Sequence, residues 1–203
     1  MPGSTGSLNS RFVVGDQARH ELASWTIEAR VFVSAANADG VIARRALERV
    51  PRAGQFDDIV NFELGLSGGQ PYVRFTATDA TDPTLVAGTA LTQNAWNYVA
   101  ASYDAANGTL ALYYTDALDA LQRATDTTLA GKVCMTEGTL VEQEISCGAG
   151  YFDGGTQRFE NALPNGTRID EIRLWEGVRS QDELNTYRLS TSRLIGDEEL
   201  LDT

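Results

Sequence analysis

Apolar and polar residues alternate along most of this chain. In SWTIEARVFVS, Trp25, Ile27, Ala29, Val31 and Val33 fall on one side of an extended backbone, while Thr26, Glu28 and Arg30 fall on the other. That period of two marks a strand with one face buried. VNFELGLSGGQPYVRFTA reads as two strands joined by Ser67-Gly68-Gly69-Gln70, where glycine supplies the positive φ of a tight turn. WNYVAASYDAANGTLALYY reads as a second hairpin with Asn107 and Gly108 as its loop residues, because both central positions of a type I′ turn need φ above zero. That loop sets Tyr103 opposite Leu112, Ala101 opposite Tyr114 and Val99 opposite Asp116 on the core side. It leaves Tyr98, Ser102 and Tyr113 on the other face.

The period changes near the end of the chain. RIDEIRLWEGVRSQDEL reads as a strand ending at Trp175, a turn at Gly177, and a helix starting after Ser180. Ser180 and Glu183 have the spacing of a capping box, and Leu184 and Tyr187, three apart, share one helix face. Short strands separated by Gly, Asn, Asp and Pro turns predict an all-β fold: a two-sheet antiparallel β-sandwich with one short C-terminal helix. Val99, Ala101, Tyr103, Leu110, Leu112, Ile172 and Leu174 are expected to face its core. A length of 203 residues suits one such domain, with a core over about 8–189, a flexible N-terminus 1–7 and an acidic tail 190–203.

Charge narrows the partners. A net charge of −12 repels phosphate backbones and anionic headgroups, which argues against nucleic acid. No apolar run approaches the roughly 20 residues of a membrane span, so membrane insertion is not expected. Cys134 and Cys147 flank MTEGTLVEQEIS, where EGT offers a turn that returns one arm toward the other. A mutual disulfide is the expectation, with an extracellular setting; two unpaired buried thiols are the alternative. With two cysteines and His20 as its one histidine, the chain has no zinc constellation.

The order SWTIEARVFV, FELGLSGGQPYVRF, WNYVAASYDAANGTLALYY, FDGGTQRFENALPNGTRIDEIRLWEGVRSQDEL resembles the laminin G-like, or concanavalin A-like, jelly-roll family with its pentraxin branch. The resemblance implies the jelly-roll fold, which is shared by binding modules and by hydrolases. It also brings departures. Pentraxin-like members place acidic calcium ligands shortly after the position of Cys147-Gly148, where this chain has Ala149, Gly150, Tyr151 and Phe152, with Asp153 the nearest carboxylate. The glucanases of this fold carry Glu-x-Asp-x-x-Glu on one strand, a run this chain lacks.

Candidate chemistry is correspondingly thin. Asp170 and Glu171 are adjacent on a strand and point to opposite faces, so they cannot flank one bond and are read as structural. ARRALERVPRAGQFDD is read as a basic loop whose Arg44, Arg45, Arg49 and Arg52 can meet an anionic glycan or an acidic partner. Tyr98 and Tyr113, on the face away from the core, and Tyr151 in GAGYFDGG offer rings for sugar stacking. Calcium is the one cofactor in view, with Asp153 as first contributor and Asp104 as second. Asn107 and Asn165 stand in glycosylation sequons that also read as hairpin turns.

Two function classes follow. One is a non-catalytic recognition or adhesion module of a secreted or surface protein, binding a glycan or a protein partner. The other is a structural component, for instance of a virion or filament, that self-associates through its jelly-roll surface.

Overall fold

The computed structural model describes residues 12–52, 55–139, 143–153, 157–189 and 200–202. The strands are β1 (Phe12–Val14), β2 (Trp25–Phe32), β3 (Gly40–Arg52), β4 (Gln55–Ser67), β5 (Gln70–Arg74), β6 (Thr84–Val86), β7 (Trp96–Asp104), β8 (Thr109–Thr115), β9 (Leu121–Asp126), β10 (Ile145–Cys147), β11 (Gly150–Asp153), β12 (Gln157–Glu160), β13 (Arg168–Glu176) and β14 (Leu200–Asp202), with one α-helix among the described residues, α1 (Gln181–Leu189). Two six-stranded sheets form, ordered β1-β10-β3-β4-β5-β6 and β14-β13-β2-β7-β8-β9, and β11 pairs with β12 as a separate ribbon. Every pairing is antiparallel. The expected two-sheet sandwich is therefore the observed one. Of the two termini, 1–7 and 190–199 lie outside the described residues, while 200–202 form β14 at the edge of the second sheet.

Alternation decides which side chains meet between the sheets. Trp25, Ile27, Ala29 and Val31 of β2 are buried with Val99, Ala101 and Tyr103 of β7 and Leu110 and Leu112 of β8. They face Phe62, Leu64 and Leu66 of β4 and Val73 of β5 across the core. Leu174 joins this core and Ile172 packs partly buried against it, although β13 carries a bulge between Asp170 and Arg173.

One hairpin turn is as the sequence suggested and the other is not. The tight two-residue loop with both φ values positive is Gly68-Gly69, between the paired Ser67 and Gln70. At Asn107-Gly108 the last pair is Asp104 with Thr109, so the loop holds four residues, and Val99 faces Tyr114, Ala101 faces Leu112 and Tyr103 faces Leu110. The Asp104 carboxylate causes this, accepting from the backbone N–H of Ala106 and Asn107 and from the Asn107 amide, which draws the turn around the aspartate. The shift is two residues, so each side chain keeps its face.

The C-terminal helix begins as expected. Ser180 Oγ accepts from the Glu183 N–H at 3.3 Å, and the Glu183 carboxylate accepts from the Ser180 N–H at 2.7 Å. What the sequence did not show is where the helix lies. Leu184 is fully buried against Tyr98, Ala100, Ala111 and Tyr113, the outer face of the second sheet, and Tyr187 stacks on Trp175 at 5.2 Å. Beneath it Glu28 has no exposed surface, accepting from Tyr98 Oη at 2.5 Å and Trp175 Nε1 at 2.7 Å, with Arg173 at 3.6 Å. Burial outweighs these partners and raises the Glu28 carboxyl above its ordinary range.

The expected disulfide is absent. Cys134 and Cys147 are both free and buried. Cys147 pairs in β10 with Ala43 and Phe12, whereas Cys134 bridges to Ala77 and exchanges hydrogen bonds with Asn61, its Sγ donating to the Asn61 carbonyl at 2.9 Å. The arms flanking EGT thus join different partners instead of each other. Burial pushes the Cys134 thiol up to about 12 and raises that of Cys147 as well, which disfavours the nucleophilic thiolate at both. Alkylation without reductant should label neither cysteine in the native protein and both after denaturation; a disulfide-linked peptide in the mass spectrum would contradict this. Leu184→Ala should destabilise by about 2–4 kcal/mol, measured by urea unfolding, because it opens a cavity between helix and sheet.

Candidate functional site

A cleft of about 530 Å³ opens on the first sheet, bordered by Glu63, Leu66, Tyr72, Arg74, Thr84 and Val86, with Asp39, Gly40, Ser67, Asn161 and Ala162 at its rim. Strand register builds its floor. Glu63 pairs with Arg74 and Arg74 with Thr84; one rung along, Gly65 pairs with Tyr72 and Tyr72 with Val86. The Tyr72 ring lies over Gly65, whose missing side chain makes the room: a Cβ there would meet the ring at 2.6 Å. The rim is held by Val41 N–H donating to the Asn161 carbonyl at 2.8 Å and by Gly68 N–H donating to the Asp39 carboxylate at 2.7 Å.

Charge in the cleft is tightly organised. Glu63 accepts two bonds from Arg74, through Nε and Nη2, both at 3.0 Å, one from Tyr72 Oη at 2.6 Å and one from Arg44 Nη1 at 3.4 Å. Arg44 also donates to Asp58 at 2.7 Å. Burial alone would raise the Glu63 carboxyl, but the charge and hydrogen bonds of Arg74, with Arg44 and Tyr72, overcome it and hold the group below the usual carboxylate range. Burial and the neighbouring Glu63 anion push the Tyr72 hydroxyl far above its ordinary value. The floor is thus a fixed anion under a cation that remains 23 % exposed at Arg74, with Val86 as an apolar wall.

Several expected site residues lie elsewhere. Arg44 and Arg45 are strand residues of β3, each 1 % exposed, and not members of a solvated loop. Arg44 serves the Glu63 cluster, and Arg45 donates to the carbonyls of Thr136 and Gln143 and pairs with Asp16. Arg49 and Arg52 continue the same strand, their side chains outside the described residues. Tyr98 and Tyr113 do face away from the core, but α1 covers them, so neither offers a ring to a sugar. Asp104 is engaged by its turn, with its carboxyl lowered first by the Asn107 amide. Tyr151 and Asp153 belong to β11, and their side chains lie outside the described residues. Among the described residues no three His, Cys, Asp or Glu side chains converge as a metal site. His20 is fully buried. Asp170 accepts from its neighbour's N–H, and Glu171, in the bulge at φ 51°, pairs with Arg173 at 3.6 Å.

Tyr72, Arg74 and Glu63 escaped the sequence reading, although their signal was present. A two-residue loop at Gly68-Gly69 pairs positions by a fixed sum, which sets Glu63 across from Arg74 and Gly65 across from Tyr72.

Comparison with known proteins adds the context. The family model for the concanavalin A-like lectin/glucanases superfamily matches residues 5–185. No curated protein matches the chain in sequence. Among solved structures, the chain is similar to the CBM40 of the Ruminococcus gnavus IT-sialidase bound to α2,3-sialyllactose, with a TM-score of 0.61, 19 % identity, and 88 % of this chain covering 92 % of that one. It is similar to the binding domain of botulinum neurotoxin serotype G, with a TM-score of 0.60, 10 % identity, and 90 % of this chain covering 40 % of that one. It is also similar to the LG1-3 region of the laminin α2 chain, with a TM-score of 0.58, 11 % identity, and 82 % of this chain covering 29 % of that one. At these identities the likeness is one of fold.

Glu63→Gln should destabilise the protein by about 3–5 kcal/mol near neutral pH, because Arg74 and Arg44 lose a buried counter-charge. The Glu63 carboxyl is lowered in the fold, so its contribution is present above the ordinary carboxylate range and lost as pH falls through its folded value. The stability gap between wild type and Glu63→Gln, read from urea unfolding at stepped pH, should narrow in acid.

Proposed function

Because the chain belongs to the concanavalin A-like lectin/glucanases superfamily, we propose that it is a non-catalytic recognition module that binds a glycan in the cleft over β4, β5 and β6. The observation that carries this reading is the fixed floor: Tyr72 held by Glu63 over Gly65, Arg74 beside it and Val86 opposite. A sugar ring presents apolar C–H groups and hydroxyls together, and an oriented aromatic with charged neighbours suits both. The similar CBM40, bound to α2,3-sialyllactose, supports a saccharide as the ligand.

The same geometry argues against chemistry at this place. Glu63 is held as an anion by two arginines and cannot serve as a proton donor near neutral pH, and the Tyr72 hydroxyl is held protonated. We place the module in a secreted or surface protein, a proposal supported by its likeness to a laminin region and to a toxin binding domain. The two free thiols lend this setting no support.

A glycan array carrying neutral and sialylated oligosaccharides, probed with and without a calcium chelator, tests the proposal. Binding is expected, with loss of about tenfold or more in affinity for Tyr72→Ala, the removal of one stacking and anchoring side chain. Thermal melting of the variant checks that the fold persists. Loss of binding in chelator would move the site toward Asp153 and its ribbon. Silence across the array, joined to concentration-dependent assembly, would favour the self-packing structural role, and release of reducing sugar would overturn the non-catalytic reading.

A further inference from the structure

The second sheet has its own open end. On its outer face, Arg168 of β13, Phe32 of β2 and Trp96 of β7 form one rung. The next rungs, with Tyr98, Ala100 and Glu28, are closed by α1, but the helix leaves this one uncovered: Trp96 is 43 % exposed. Its ring is set against Phe32 edge to face at 5.8 Å, and the Arg168 guanidinium lies over the Phe32 ring at 5.4 Å. An exposed tryptophan costs solvation, yet this one is oriented by a partner ring.

The charge around it is also particular. Within a chain of net charge −12, this rung and the one beside it hold Arg168 and Arg30 against the single carboxylate of Asp170. Asp170 directs an oxygen to the backbone N–H of Glu171. A guanidinium stacked on a ring keeps its edge N–H groups available to a planar anion in the plane beyond the stack. The neighbouring loop is firm: Ser34 Oγ bonds both the Asn165 carbonyl and Thr167 Oγ1 at 2.9 Å, and Gln93 donates to the Ser34 carbonyl at 3.2 Å.

We infer that Trp96, Phe32 and Arg168 form a second saccharide site, separate from the cleft, that takes a sugar bearing one negative charge, its ring face on Trp96 and its anion at Arg168. The cation selects the anion, and the tryptophan supplies contact area that a simple anion cannot use. This site lies on the other sheet from the cleft and does not depend on the cleft binding anything.

The protein carries its own reporter. Trp25 and Trp175 have no exposed surface, so acrylamide quenching of native fluorescence reports on Trp96. The probes are 3′-sialyllactose, a glucuronate disaccharide and a galactose sulfate, against lactose and an acetylated peptide with a free carboxylate. The expected result is saturable protection of the fluorescence by at least one charged sugar, about tenfold weaker for lactose. Arg168→Gln should weaken the charged sugar by about tenfold and leave lactose unchanged. Trp96→Ala, read by calorimetry with its melting temperature as a fold check, should abolish binding at this site. Tyr72→Ala should leave the Trp96 protection intact, which separates failure here from failure at the cleft. Equal protection by lactose, equal protection by the peptide, no protection by any charged sugar, or loss of protection in Tyr72→Ala would each overturn the assignment. Which charged sugar protects identifies carboxylate or sulfate as the source of the anion.

Discussion

The two sheets are joined by aromatic contact across the core. Trp25 of β2 meets Phe62 of β4 at 5.6 Å and Tyr103 of β7 at 6.4 Å, and Tyr103 meets Phe75, just beyond β5, at 4.1 Å. Trp25, Phe62, Phe75 and Tyr103 are all without exposed surface. Large rings in such tilted contact bury much apolar area and fix the distance between sheets. Everything on the outer faces inherits its position from that spacing, because the inward parity of each strand settles its outward parity.

Both outer faces then use charge where a simple sandwich would leave polar residues in water. On the first sheet Glu63 gathers Arg74, Arg44 and Tyr72; on the second Glu28 gathers Tyr98, Trp175 and Arg173. The two carboxylates end differently. Two arginines overcome burial at Glu63, whereas one more distant arginine and two neutral donors leave Glu28 raised. A buried charge of this kind is costly to strand and fixes geometry more than it adds stability. At Glu63 that geometry is the floor of a cleft, and at Glu28 it is the bed of a helix.

The superfamily's fold carries recognition and catalysis alike, so membership settles architecture more than activity. What separates the readings here is local. The cleft has an oriented aromatic at Tyr72 and a partly exposed cation at Arg74, and its Glu63 carboxyl is held below the usual range by the arginines around it. The tyrosines that alternation directs away from the core at Tyr98 and Tyr113 lie under α1, and exposed aromatic surface sits at Trp96, where the helix does not reach.

The sequence by itself determined the strands β2, β5, β7, β8 and β13, their inward faces, the capped helix and the fold class, because periodicity and capping act over a few neighbouring residues, whereas most of β3 read as a loop. It determined Gly68-Gly69 as a tight turn for the same reason, and with it the pairing of Glu63 with Arg74. It misplaced the Asn107-Gly108 register, since an aspartate four residues from Gly108 competes for the turn's backbone. Only the tertiary structure decided what covers each outer face. Arg44 and Arg45 read as solvated until the neighbouring strand brings Asp58 to Arg44 and a segment some ninety residues onward brings the Thr136 carbonyl to Arg45. Tyr98 and Tyr113 read as exposed until a helix more than sixty residues onward packs over them. Cys134 and Cys147 read as a pair until each is held in a different part of the sheet. Burial of a polar face is a property of the partner that covers it, and no period along a single strand records that partner.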